Sequence, residues 1–280
     1  MVLYFIGIGL CDEKDITLRG LEVIESADKI YLESYTAILS PNANIEKVLG
    51  KKTIIEADRK FIEEGSDIML DEATNQQVVL LVVGDPLCAT THSDLMLRAY
   101  EKNIQVEIIH NASIISAIGA TGLQVYKFGE TVSIPFFDNN WQPESFYDKV
   151  KLNMKQGLHT LCLLDIKVKE QSLDNMMRNL PIFESPRYMN INQAIKQLYI
   201  IEKKRNERVA LPSTLAFGVA RIGSKNQLIL AGTLEQLSSV DFGEPLHSLV
   251  LCHPELHLIE KKFFEIANKR MIDQLEARSV

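Results

Sequence analysis

The sequence predicts an α/β protein built from two domains. Three observations carry this reading. Short apolar runs of β type recur roughly every 25 residues, helical patterns fill the intervals, and an aromatic, turn-rich stretch interrupts the series near its middle.

In the first half the expected strands are Val2–Ile8, Lys29–Glu33, Thr53–Glu56, Val78–Val83 and Ile104–Ile109. Val78-Val79-Leu80-Leu81-Val82-Val83 is unbroken, the pattern of a strand covered by helices on both faces. Helix signals lie between the strands. Thr17 is placed to cap a segment with Leu18, Leu21 and Ile24 on one face, and Ser66 to cap one carrying Ile68, Met69 and Leu70. Thr90-Thr91-His92-Ser93 precedes Leu95, Met96, Leu97 and Ala99. Strand, turn, helix and strand in that order imply a mostly parallel sheet.

A second series follows. Its expected strands are Thr131–Pro135, His159–Ile166, Val209–Ala220, Gln227–Gly232 and Leu249–Cys252, and its helices Gln142–Met154, Gln171–Asn179, Ile191–Lys203 and Leu256–Leu275. Pro135-Phe136-Phe137-Asp138-Asn139-Asn140 reads as a linker, which divides the chain into 1–130 and 131–280. An active cleft between two α/β halves is expected, with ligands beyond the carboxyl ends of strands.

Composition fits this reading. The 280 residues are 46% hydrophobic and 24% charged, so each half can bury its own core and disorder is excluded. No apolar run reaches the roughly 20 residues of a membrane span. The opening Met1-Val2-Leu3-Tyr4-Phe5-Ile6-Gly7 reads as a strand, not a signal peptide. A formal charge of −7 argues against direct nucleic-acid or membrane binding, which need a basic face. Cys11, Cys88, Cys162 and Cys252 are dispersed, with no C-x-x-C, so neither a metal site nor a disulfide framework is expected. Isolated thiols fit a reducing, cytoplasmic setting. The sequon Asn111-Ala112-Ser113 is read as chance.

Four strand-end loops are candidates for chemistry. Gly7-Ile8-Gly9-Leu10-Cys11-Asp12 begins like a dinucleotide fingerprint, but Asp12 replaces its third glycine, which excludes the tight helix–strand packing of that motif. Either Gly7 and Gly9 permit a bend, or they let a nucleoside-like ligand approach the backbone. Gly84-Asp85-Pro86-Leu87-Cys88 is a stiff turn after the most apolar strand; Asp85 either stabilises the turn or offers a carboxylate to a ligand ammonium. His110-Asn111-Ala112-Ser113-Ile114 precedes a small-residue helix, with Ser113 as N-cap or ligand contact. Leu163-Leu164-Asp165-Ile166-Lys167-Val168-Lys169 closes a buried strand. Gly243-Glu244-Pro245-Leu246-His247 leads into the last strand, and its lone histidine is not decisive by itself.

Y-F-I-G-I-G-L-C-D-E-K-D-I-T, Y-L-E-S-Y-T, V-V-G-D-P-L-C-A-T-T-H-S-D-L, H-N-A-S-I-I-S-A-I-G, L-L-D-I-K-V-K-E-Q-S and G-E-P-L-H-S-L-V together resemble the diphthine synthases, within the tetrapyrrole-methylase-like methyltransferases. The resemblance runs in register from residue 2 to about 252. It implies two α/β domains of that type with the cofactor in the cleft between them, commonly in a homodimer. It implies S-adenosyl-L-methionine as methyl donor and S-adenosyl-L-homocysteine as product. The substrate implied is translation elongation factor 2 bearing a 3-amino-3-carboxypropyl-histidine, methylated on its amino group. D-F-G-E-P-L-H-S-L is closer to the eukaryotic branch, which also forms the carboxylate methyl ester.

The cofactor contacts implied by the motifs are Leu10, Asp85, Cys88, Ser113, Ile114, Leu164, Ile222 and His247. The first six fall in the loops selected above, whereas Ile222 and His247 rest on the resemblance alone. Cys88 departs from the glycine or small residue expected there. No metal is expected, and no general base stands out. Lys167 and Lys169 either attract the substrate carboxylate or are simply exposed. Two alternatives remain at this stage: a tetrapyrrole-type small-molecule methylase, which should need basic residues for several carboxylates, and a non-catalytic cofactor-binding scaffold.

Overall fold

The computed structural model describes residues 1–39, 43–50, 52–138, 140–171, 175, 177–178 and 180–278. They form two compact units. One comprises Met1–Ala117, Val168–Ser185 and Gly223–Lys225, and the other Ile118–Lys167, Pro186–Ile222 and Asn226–Val280.

The first unit runs β1 (Val2–Gly7), α1 (Leu18–Ser26), β2 (Lys29–Glu33), α2 (Glu46–Leu49), β3 (Ile54–Ala57), α3 (Asp67–Ala73), β4 (Gln77–Val82), α4 (His92–Glu101), β5 (Gln105–Ile109) and α5 (Ile114–Ala117). The strand order is β3-β2-β4-β1-β5, and every neighbouring pair is parallel. Alternate residues of each strand serve opposite layers. Leu3, Phe5, Val78, Leu80 and Val82 pack with Met69 and Leu70 of α3 and Leu95 and Ala99 of α4. Ile6, Ile8, Val79 and Leu81 pack with Ile24 of α1 and Leu49 of α2. Each of these side chains larger than alanine contributes roughly 1.5–3 kcal/mol by leaving water. Both faces are covered, so the strands read as continuous apolar runs and their bounds match expectation within about one residue.

The helix starts divide. Thr17 Oγ1 accepts from Gly20 N–H at 3.0 Å, as expected of a cap. Ser66 does not cap with its side chain: its hydroxyl donates back to Ile62 O at 2.8 Å and accepts from Arg98. Thr91 likewise makes no side-chain cap bond, and the Thr90 hydroxyl donates to Pro86 O.

The second unit runs β6 (Val132–Ile134), α6 (Ser145–Lys155), β7 (Thr160–Leu164), β8 (Ile166–Lys167), β9 (Arg187–Tyr188), α7 (Ile191–Arg205), β10 (Leu215–Ala220), β11 (Leu228–Thr233), α8 (Leu234–Leu237), β12 (His247–Leu251) and α9 (Leu258–Arg278). Its main sheet, ordered β11-β10-β12-β7-β6, is mixed: β6 and β7 are parallel, and the other neighbours antiparallel. The 221–227 connection between β10 and β11 is too short for a parallel crossover, which takes a dozen residues or more. Tyr147, Ile195, Leu198, Phe242, Leu249 and Met271 fill the core. Asn190 and Gln193 cap α7 reciprocally.

One expected strand is shortened. Val209 and Ala210 were placed in it, but β10 begins at Leu215. Their N–H groups donate instead to Glu202 Oε2, each at 2.8 Å, so no ladder bond is available to them. The helix expected over Gln171–Asn179 falls largely outside the described residues.

Candidate functional site

In the first unit, β1 leads through α1 toward β2, on one face of the sheet, and β4 leads through α4 toward β5, on the other. The adjacent strands β1 and β4 therefore send their connections to opposite faces, the topological switch point at which open α/β sheets bind ligands. The loops after β1, β4 and β5 meet there.

Glycine is required where they touch. Gly84 N–H donates to Gly9 O at 2.8 Å, and Gly9 N–H returns a bond to Gly84 O at 3.3 Å. A Cβ on Gly7 would lie 2.5 Å from Gly84 O, and one on Gly9, whose φ is +79°, would lie 2.3 Å from Asp15 Cβ. The close approach these glycines permit is thus to the protein's own neighbouring segments. Asp15 Oδ2 accepts from Leu10 N–H at 3.1 Å and Cys11 N–H at 2.8 Å. Asn111 Nδ2 donates to Gly7 O and Asp15 O, both at 2.9 Å, fastening the β5 loop to the β1 loop.

Asp85 is buried at the centre of this junction. Its Oδ1 accepts from Leu87 N–H at 2.9 Å; its Oδ2 accepts from Asn111 N–H at 3.1 Å and from His110 Nδ1 at 2.8 Å. Burial alone would raise the carboxyl pKa, but these donors outweigh it and hold the group below its ordinary value. Asp85 therefore joins the β4 turn to the β5 loop as an anion.

The other motif residues of this unit lie around the same loops. Leu10 and the Ser113 backbone flank the space a Gly84 Cβ would enter, each 3.9 Å from it. Cys88 N–H donates to Asp85 O, and Ile114 opens α5. Ser113 is buried, and its carbonyl accepts from Ala117 N–H at 2.8 Å. Gly223 also lies against Leu10.

In the second unit, β7 and β10 end where β12 begins. Ala220 pairs with His247, and Leu163 with Ser248, so Leu164, Ile222 and His247 share one end of the sheet. His247 is buried; its Nε2 meets Gly243 O at 3.1 Å and Glu244 O at 3.0 Å. Carbonyls only accept, so Nε2 carries the proton. Nδ1 is then a buried acceptor with no partner. Burial, reinforced by the Arg221 charge, keeps the imidazole below its ordinary pKa and therefore neutral. Arg221 braces the same end by donating to Phe242 O and Glu244 O.

Lys169, in contrast, pairs with Glu56 at 2.9 Å and Asp58 at 3.7 Å, so its charge is already engaged. Asp15, His110 and Asn111 are central to the junction; the sequence placed His110 and Asn111 in a candidate loop without giving them a role, and Asp15 only inside a motif string. Among the described residues no group of three or more His, Cys, Asp or Glu is placed to hold a metal ion. Nor is any described helix long and apolar enough to cross a membrane.

Comparison with known proteins matches residues 2–238 to the tetrapyrrole (corrin/porphyrin) methylases. The chain is 52% identical over 267 residues to the diphthine methyl ester synthase of Dictyostelium discoideum, covering 95% of this chain and 97% of that one. It is 50% identical over 270 residues to the human diphthine methyl ester synthase, covering 95% and 94%. A crystal structure of diphthine synthase superposes with a TM-score of 0.82 at 33% identity, covering 96% of each chain. With the motifs of both units continuous across that length, the chain belongs to the tetrapyrrole (corrin/porphyrin) methylase family, as a methyltransferase of its diphthine methyl ester synthase branch.

Proposed function

We propose that the chain methylates the 3-amino-3-carboxypropyl-histidine of translation elongation factor 2, using S-adenosyl-L-methionine and releasing S-adenosyl-L-homocysteine. Three transfers to the amino group are followed by one to the carboxylate. The observation that carries this reading is the roughly 50% identity to diphthine methyl ester synthases along nearly the whole of both chains.

The residues present suit the donor. The buried Nδ1 of His247 needs a hydrogen-bond donor, which an adenine amino group or a ribose hydroxyl supplies. Leu10, Cys88 and Ile114 of the first unit are proposed as apolar contacts for the donor, and so, within the second unit, are Leu164 and Ile222. Asp85 holds the β4 turn and adds negative charge for the amino-acid portion of the donor. When bound, the sulfonium supplies an electrophilic methyl group. The protein's task is then to align the acceptor nitrogen and to strip water from the acceptor carboxylate before the final transfer. A homodimer in the cytoplasm completes the reading.

The test is incubation with methyl-labelled S-adenosyl-L-methionine and elongation factor 2 carrying the unmethylated intermediate. Label is expected on the factor as trimethylated and esterified product. Labelling of a tetrapyrrole instead would select the small-molecule methylase, and cofactor binding without turnover would select the scaffold.

A further inference from the structure

Each amino methylation needs a nitrogen lone pair, yet the acceptor is an α-amino group with an ordinary pKa of about 8 and is mostly ammonium at neutral pH. The proton must go somewhere. From the contact between Asp85 and His110 we infer that His110 is the proton acceptor for the amino-methylation steps. This inference rests on the function proposed above.

The argument begins with the tautomer. Asp85 is ionised, held as an anion by Leu87 N–H and Asn111 N–H, so it can only accept. His110 Nδ1, 2.8 Å from Asp85 Oδ2, must therefore carry a hydrogen. In the neutral ring this leaves the lone pair on Nε2. A buried carboxylate that fixes the tautomer of a histidine is the arrangement used to orient a general base.

Position comes next. His110 is the first residue beyond β5, at the same carboxyl end of the parallel sheet as the loops after β1 and β4. Its side chain is 66% exposed while that of Asp85 is 5% exposed, so the orienting group is sealed and the ring can reach a solute. The titratable group placed against the ring is Asp85.

In the step itself an N–H bond of the substrate ammonium breaks and its electron pair stays on nitrogen. The proton bonds to His110 Nε2 and passes from the exposed ring to water. The mono- and dimethylammonium products lose a proton in the same way before the next transfer. The trimethylated nitrogen has no proton to lose, and the carboxylate is already ionised. Ester formation therefore does not use His110.

The test compares wild type with His110→Gln and His110→Ala on two forms of the factor, one with the free amine and one already trimethylated. Amino methylation by the variants is expected to fall on the order of 10²-fold near neutral pH. It should recover as pH rises and the free amine accumulates, and added imidazole should restore part of the rate in His110→Ala. Esterification of the trimethylated factor should fall far less, and the loss in amino methylation should exceed any change in affinity for S-adenosyl-L-homocysteine. Unchanged amino methylation across pH in both variants would overturn the inference. Equal losses in both steps would overturn it too, since they would mark a role in shape. Failure of wild type on either substrate would instead defeat the underlying functional reading.

Discussion

Glu260, completely buried near the start of α9, accepts a hydrogen bond from His159 Nε2 at 3.3 Å. The same carboxylate accepts from Gln124 N–H and His257 N–H, and His159 Nδ1 accepts from His253 N–H. Every polar atom of the pair thereby serves to fasten the last helix to the second unit.

This pair makes the second unit acid-sensitive. Burial lowers the pKa of His159, so the native state favours the neutral ring, whereas the unfolded chain gains a proton as pH falls through about 6.5. Burial would raise Glu260, but the Gln124 and His257 amides and His159 outweigh it and lower its pKa. Both groups bind protons more readily unfolded, so their stabilisation is present at high pH and lost on acidification. The His159 part fades from about pH 6.5 downward, and the Glu260 part from about 4.3 downward. Urea midpoints at pH 8, 6 and 4 should fall in that order. His159→Ala should cost about 1.5–3 kcal/mol at pH 8 and flatten the first segment of the decline.

Asp85→Ala should act on both binding and stability. It leaves the part-buried N–H groups of Leu87 and Asn111 without their carboxylate acceptor, at about 1 kcal/mol each. Thermal unfolding should reveal the loss, and calorimetry with S-adenosyl-L-homocysteine should show at least tenfold weaker binding. Native affinity in a folded variant would mean that Asp85 serves only the turn.

His247→Phe keeps an aromatic ring against Phe242 but removes the unpartnered Nδ1 acceptor, along with the Nε2–H donor to Gly243 O and Glu244 O. The expected result is weaker S-adenosyl-L-homocysteine binding by roughly 1 kcal/mol, the usual worth of a neutral hydrogen bond. Chelators should leave wild-type affinity unchanged. Affinity that vanished with chelation and returned with added zinc or magnesium would contradict this.

Gly9→Ala and Gly50→Ala separate contact from backbone strain. Both glycines have positive φ, +79° and +63°. At Gly50 nothing among the described residues lies within 4 Å of the new methyl, so only the backbone penalty of a positive φ applies. At Gly9 the methyl collides with Asp15 as well. Thermal melts should show a clearly larger loss for Gly9→Ala, accompanied by lost cofactor binding.

A free amino-acid analogue of the modified histidine should be methylated far more slowly than the folded factor at equal concentration. Contacts remote from the reacting nitrogen orient it, so truncation lowers kcat as well as raising KM. Equal kcat/KM values would return the tetrapyrrole-type reading to contention.

The parallel sheet was legible because helices cover both its faces, which makes each strand a continuous apolar run such as Val78–Val83. The mixed second sheet was not, since apolar pattern reports burial and says nothing about strand direction. Val209 was read as strand because Glu202, which takes its N–H, is a helix residue whose role as acceptor only folding reveals. At the candidate site the same limit applies. Asp85 and the His110-Asn111 pair were each visible as loop residues, but 25 positions separate Asp85 from His110, and no local rule joins them. Gly9 and Gly84 each stood in a candidate loop, but their pairing emerged only from the loop-to-loop hydrogen bonds.

The fastening of the three loops to one another also limits how this fold can diversify. One residue added between Gly7 and Asp15 would shift the Gly9–Gly84 pair out of step and pull the Asp15 carboxylate from Leu10 and Cys11. An insertion between Gly84 and Asn111 near either end would do the same to Asp85. Insertions and deletions in this rim should therefore be rejected, although surface loops generally accept them. New acceptor preferences would have to arise by side-chain replacement within a fixed loop length, or from segments outside 7–15, 84–88 and 110–114.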